Sequence, residues 1–288
     1  MGEMNSNATT PEPIDLSCTW SARLRLRVRG LRSLLLGRGI RYSGRYHDRE
    51  EAVAACTSGG YAVPDILERV AAATSKVVRG EAAYERDSVA FANHQYRWPL
   101  MAALLRAALE NGGSGLTVLD FGGSLGSSYH QSRPFLPAGL DVQWFVVEQE
   151  HFVRRGRSDF ETEHLHFHLN TAEVCSRARP DIALLSSVLQ YIEKPKDVLL
   201  ELARTNIPYL LIDRTPLSAA ARDAFTVQHV PAAIYEASYP CRIFSHGCLA
   251  KLLEPDWETI AEFPSEDGWA IASRMYFCYG GLMLRRRA

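Results

Sequence analysis

The chain has 288 residues, enough for one large domain with an accessory segment. Hydrophobic residues make up 47% and charged residues 23%, an ordinary globular balance, and no apolar run approaches the roughly 18 residues of a spanning helix. A formal net charge of -1 gives no whole-chain argument for nucleic acid, and six cysteines without a CxxC pair exclude a recognisable metal knuckle or disulfide framework.

The polar start "MGEMNSNATTPEP" has no secretory core, so the expectation is a cytoplasmic protein with reduced thiols and a disordered beginning up to about Pro13. From Trp20 to Gly39 leucines and arginines interleave in "RLRLRVRGLRSLLLG", and the later triple leucine favours a helix over a strand. Such a basic amphipathic arm, residues 1–41, is a candidate contact with the inner face of a membrane; a solvated arm docked on its own protein is the alternative. Residues 42–113 read as a helical cap built from "YHDREEAVAAC", "VPDILERVAAATSKVVRG" and "YRWPLMAALLRAALENGG". Asp48 caps the first of these, Pro64 and Asp65 open the second, and Gly112 and Gly113 stop the third.

From residue 114 onward apolar runs alternate with helical ones. The expected strands are "LTVLDF", "VQWFVVE", "LHFHL", "DIALLSS", "YLLIDR", "WETIAEF" and "GGLMLRR". Continuous apolar strands separated by helices predict an α/β domain, a Rossmann-like doubly wound and mostly parallel sheet with an N-terminal helical extension. The last two strands have no helix between them and are expected as an antiparallel hairpin at the edge.

The first strand runs into "DFGGSLG". In a doubly wound sheet the loop after the first strand is where a nucleotide-like ligand binds. Gly122 and Gly123 allow close backbone approach, and Gly126 allows the next helix to start against the sheet. The dinucleotide pattern GxGxxG fails, because Ser124 and Ser127 stand at its second and third glycines, and no P-loop is present. What remains, D-x-G-x-S-x-G from Asp120, resembles the motif of class I S-adenosylmethionine-dependent methyltransferases. Glu148, followed by Gln149, ends the second strand where a carboxylate can accept both hydroxyls of a ribose. The segment "PDIALLSSVLQYIEKPKDVLLELAR" resembles the same superfamily's fourth strand, which implies that Ser186, Ser187 and Gln190 line the ligand groove.

The resemblance extends further. "AYERDS", "YRWPL", "LDFGGSLGSSY", "LLSSVLQY", "IDRTP" and "QHVPAAIYEASYP" are similar to a bacterial methyltransferase-like family that accompanies surface-polysaccharide biosynthesis, from about Tyr42 to the C-terminus. The chain departs from it at Arg242, where similar sequences carry an aromatic residue. The resemblance implies S-adenosyl-L-methionine as cofactor and a small-molecule or glycan acceptor, with a hydroxyl as the expected methyl acceptor.

Tyr129, Trp98 and Tyr191 are candidates for an aromatic wall beside the donor sulfonium. Asp213 and His229 are the candidate bases, Asp213 ahead of the histidine, while His246 reads as a helix start capped by Ser245. Arg86, Tyr129, Arg214, Gln228, Tyr235 and Tyr239 are the acceptor-side candidates, with Asp87 beside Arg86. No metal and no nucleic acid are expected. Two alternatives stay open: a non-catalytic member of the fold that binds a nucleoside-like ligand or partner enzyme, and a peripheral membrane scaffold.

Overall fold

The computed structural model describes residues 12–36, 39–57 and 64–287. Residues 1–11, expected as the disordered start, lie outside them. The N-terminal third contains α1 (Trp20–Leu36), β1 (Arg41–Tyr46), α2 (Arg49–Ala54), α3 (Pro64–Val78), β2 (Tyr84–Arg86), β3 (Val89–Phe91) and α4 (Trp98–Glu110). Asp48 caps α2 by accepting from the Glu51 backbone N–H at 2.8 Å, as its position suggested. The α4 helix ends where Gly113 donates back to the Ala108 carbonyl at 2.8 Å. The region expected to be a helical cap therefore holds three strands as well.

The remainder runs β4 (Gly115–Phe121), α5 (Ser127–Ser132), β5 (Asp141–Val147), α6 (Glu150–Asp159), β6 (Leu165–His168), α7 (Thr171–Arg177), β7 (Ile182–Ser186), α8 (Pro195–Arg204) and β8 (Tyr209–Ser218). It continues with β9 (Ala224–Val230), β10 (Ala237–Ser245), α9 (His246–Leu253), β11 (Trp257–Ala272) and β12 (Met275–Arg286). Five parallel strands stand in the order β6-β5-β4-β7-β8, so the strand order reverses between β4 and β7. Alternation sends successive side chains to opposite faces. Val118, Trp144, Val146, Leu184 and Leu211 join one core with α3, α4 and α6. Leu119, Phe145, Val147, Leu185 and Ile212 join a second core with α7, α8 and α9.

The other half of the sheet departs from a plain doubly wound arrangement. β12 lies antiparallel beside β8, and β11 lies antiparallel beside β12. The hairpin is therefore inside the sheet, not at its edge. Beyond it β11 pairs with β1, β1 with β9, and β9 with β10. β10 then pairs with the far end of β8 through Phe244 and Ser245, closing β8, β12, β11, β1, β9 and β10 into a ring. β8, β11 and β12 span 10, 16 and 12 residues and outrun the other parallel strands, which gives them the length to close the ring. The hairpin was expected at an edge because no helix separates its two strands, and β1 and β9, which lie beyond it, lack the apolar run of a buried parallel strand.

Within this hairpin Gly281 is held by space. A Cβ there would lie 2.6 Å from the Ile212 carbonyl oxygen of β8 and 2.3 Å from Phe263 Cζ. Gly281→Ala should lower the thermal midpoint by about 3–10 °C through overpacking. Gly139→Ala, with nothing within 4 Å of its Cβ, should leave the midpoint within about 2 °C by calorimetry.

Candidate active site

At the carboxyl end of β4 the chain turns through the glycine loop. Gly122 takes φ +73°, and a Cβ on it would stand 2.3 Å from Val188 Cγ2. A Cβ on Gly123 would stand 2.6 Å from Asp120 Cγ. The loop is bare because both its conformation and its neighbours exclude side chains. Gly126, at φ +85°, sits behind it as the residue that opens α5, against Leu165.

This loop forms one wall of a cavity of about 1620 Å³. A pocket for one drug-sized ligand needs about 300–1,000 Å³, so the volume suffices for two molecules side by side. Asp120, Gly122, Gly123, Ser124, Glu148, Gln149, Ser186 and Ser187 line it, from the ends of β4, β5 and β7. So do Arg86, Arg214, Gln228, Tyr235 and Tyr239, which lie toward the ring. Gln190 is buried behind the lining, its amide nitrogen donating to Ser187 Oγ at 3.2 Å.

Backbone strain concentrates here. Among the described residues, the non-glycine positions with positive φ are Asp87, Ser88, Ser124, Ser187, Arg214 and Ser273, and every one lines this cavity. Such conformations cost on the order of 1–3 kcal/mol each and persist where the surroundings dictate them, which is common at ligand sites.

Two carboxylates face the end of the cavity at the glycine loop. Asp120 is buried and accepts from Trp144 Nε1 at 3.0 Å; burial pushes its carboxyl up to about 6. Glu148 Oε2 accepts from the Gln149 backbone N–H at 2.7 Å. Burial pushes Glu148 up to about 7, its backbone hydrogen bonds oppose the rise, and the charge of Asp120 adds to it. The loop also carries apolar flanks: Val188 and the half-exposed Leu169, just after β6, both line the cavity.

The ring end is built from phenols and amides. Tyr191 Oη donates to Gln228 Oε1 at 3.0 Å, and Gln228 Nε2 donates to Tyr239 Oη at 3.1 Å. Tyr239 and Tyr235 hydroxyls lie 3.3 Å apart, and those of Tyr42 and Tyr279 lie 2.5 Å apart. Arg214 bridges two acids, donating through Nε to Asp267 at 2.7 Å and through Nη2 to Asp87 at 3.3 Å.

Several expected site residues stand elsewhere. Asp213 is 4% exposed and belongs to a buried cluster: Arg97 Nη1 donates to its Oδ2 at 2.9 Å, and the Arg214 backbone N–H donates to its Oδ1 at 2.9 Å. Arg97 also donates to Ser186 Oγ at 2.5 Å and Ser128 Oγ at 2.9 Å. A carboxylate off the cavity wall and paired with a buried guanidinium is positioned as an anchor, not as a proton acceptor in the cavity. His229 lies between Gln228 and Val230 on β9; these two line the cavity, so strand alternation turns the histidine away, with its Nε2 2.7 Å from Ser43 Oγ. Tyr129 packs edge-on against Trp144, and the exposed Trp98 packs on Tyr96 and Phe135; neither lines the cavity, whereas Tyr191 does. His246 Nε2 sits 2.8 Å from Glu262 Oε2, beside the expected Ser245 cap.

A further acid on the cavity wall is Glu85, one position before Arg86. It is 3% exposed, accepts from Ser127 Oγ at the start of α5, and accepts from the Ser88 N–H at 2.8 Å. Burial pushes its carboxyl up to about 7, against those two hydrogen bonds. The sequence signal was the run "YERDS" itself, in which Arg86 and Asp87 drew attention and the buried member is Glu85.

No family model matches the chain, and no curated protein matches it. Solved structures similar to it include the N-terminal domain of EvdMO1 in the presence of SAH and D-fucose, 18% identical, covering 80% of this chain and 100% of that one, with a TM-score of 0.45. SAM-bound CalS10, an amino pentose methyltransferase from Micromonospora echinaspora, is 10% identical, with coverages of 74% and 96% and a TM-score of 0.44. The [4+2]-cyclase SpnF is 14% identical, with coverages of 78% and 95% and a TM-score of 0.46.

If Asp213 is the anchor of a buried pair, removing either partner strands a charge. Arg97→Met and Asp213→Leu should each lose about 3–5 kcal/mol in urea unfolding, and the double substitution should recover much of it. Single variants as stable as the parent would show that the pair holds nothing.

Proposed function

We propose that this protein is an S-adenosylmethionine-dependent methyltransferase of the class I type, acting on a hydroxyl of a small-molecule or glycan acceptor. The observation that carries this is the convergence, on one cavity at the reversal of strand order, of a glycine loop, a strand-end carboxylate and all six strained non-glycine residues. The bare loop and the half-buried Glu148 fit the cofactor. Gly122, Gly123 and Ser124 would offer backbone to its methionyl part, Glu148 would accept from its ribose hydroxyls, and Leu169 and Val188 would flank its base. When bound, it supplies an electrophilic methyl group on a sulfonium.

The rest of the chemistry is assigned to the chain. Holding donor and acceptor in line is worth roughly 7–11 kcal/mol in well-oriented systems. The Tyr191, Gln228, Tyr239 and Tyr235 array offers alternating donors and acceptors, which suits a polyhydroxylated ligand. Glu85 would take the proton of the acceptor hydroxyl, because its carboxyl is poised near neutrality on the cavity wall beside α5. The resemblance of "YERDS" and "QHVPAAIYEASYP" to a family accompanying surface-polysaccharide biosynthesis supports a glycan as acceptor.

Calorimetric titration with S-adenosylhomocysteine tests the cofactor half. Binding should be lost in Gly122→Val. Because the charged form of Glu148 is the acceptor and burial holds it near 7, affinity should rise about tenfold between pH 6 and pH 8. Glu148→Gln should bind weakly with no such rise. A folded protein that takes up no ligand at millimolar concentration would overturn the proposal.

Glu85→Gln tests the acceptor half. In an assay of S-adenosylhomocysteine release over a panel of hydroxylated sugars, kcat should fall by about 10²–10⁴-fold while cofactor affinity stays within about twofold. A fall in affinity with kcat unchanged would reassign Glu85 to binding.

A further inference from the structure

We propose that the outer face of α1 is a docking surface for an anionic lipid bilayer. Trp20, Leu24 and Val28 recur every fourth residue and so share one side of the helix. They are 79%, 49% and 46% exposed, and they form the line of large apolar side chains that α1 turns to solvent within its described side chains. The flank beside that line is tied down by two arginines, and the far side by a leucine. The Arg23 guanidinium lies 5.2 Å from the ring centre of Tyr276 in β12, Arg27 Nε donates to Tyr276 Oη at 2.9 Å, and Leu26 lines the cavity. The helix is thus held with its apolar line outward, which a helix merely docked on its own protein would hide.

Charge selects the partner. Between Asp15 and Asp48 the sequence contains eight arginines and no acidic residue, a formal charge of +8. Since the whole chain carries -1, the remainder carries -9. An anionic surface attracts this end and repels the rest, so attraction and orientation come from one asymmetry. Nucleic acid would use the arginines but gain nothing from Trp20, Leu24 and Val28. A bilayer takes both, with arginines at the headgroups and the apolar line below them. No helix among the described residues is long and apolar enough to cross a membrane, so the contact would be peripheral.

The test is co-sedimentation of the full-length chain with phosphatidylcholine vesicles, with and without one quarter phosphatidylglycerol, in low and high salt. Partitioning should be about tenfold or more stronger on the anionic vesicles and weaken in high salt. The triple variant Trp20→Ser, Leu24→Ser, Val28→Ser should lose about tenfold or more of that partitioning with an unchanged thermal midpoint. Absence of sedimentation with anionic vesicles in low salt would overturn the proposal. So would a triple variant that sediments like the parent, since that is a charge-only contact. Light scattering that shows a dimer, made monomeric by the same variant, would assign the face to a second copy instead.

Discussion

An arginine and an aspartate removed from water lose solvation that only a full set of partners returns. Arg97 and Asp213 meet this condition at the point where the sheet divides into its open parallel half and its closed ring. Arg97 stands at the start of α4, Asp213 on β8, Ser186 at the end of β7 and Ser128 in α5, and one guanidinium reaches all of the last three. A single side chain therefore ties the start of α5 to the β7 and β8 ends, which backbone pairing already holds side by side. This accounts for the position of Asp213 beside the site without a place on its wall.

Around that anchor the cavity has two chemical halves. The loop half offers bare backbone, apolar flanks and two carboxylates whose protonation burial has moved toward neutrality. The ring half offers phenols and an amide joined in a hydrogen-bonded series, with Arg214 between two acids. Glu85 sits between the halves, because the β2–β3 hairpin brings it to Ser127 at the start of α5. The strained residues from the hairpin turn, the glycine loop, the β7 end, the β8 strand and the β11–β12 turn all meet on this surface, so several independent segments have been bent to shape one space.

The parallel strands were legible in the sequence because burial on both faces leaves continuous apolar runs, as in "TVLDF" and "IALLS". The loop residues and Glu148 were legible for a related reason: glycines and a strand-end acid are local signals. The ring was not. β1 reads "RYSGRY" and pairs with β9 some 185 residues later in the chain, so nothing local marks it as a strand. The segment with Gln228, Tyr235 and Tyr239 was singled out for its mixture of aromatics and amides, and all three line the cavity, but His229 inside it could be set aside only once the pairing of β9 fixed which side faces the cavity. Asp213 misled for the opposite reason. A strand-end acid looks available until its partner, distant in sequence at Arg97, is known.

Ring closure has a further effect on how molecules of this protein meet. An open sheet presents two unpaired margins, each a template for another chain's backbone. Pairing of β10 with β8 at Phe244 and Ser245 ties one end strand back to the sheet, and among the described residues β6 is the end strand on the other side. That strand is four residues long and carries two histidines, with Glu161 and Glu173 close to their rings. A margin so short and polar offers little length for backbone-to-backbone growth, so this end of the sheet is a poor template for ordered self-association.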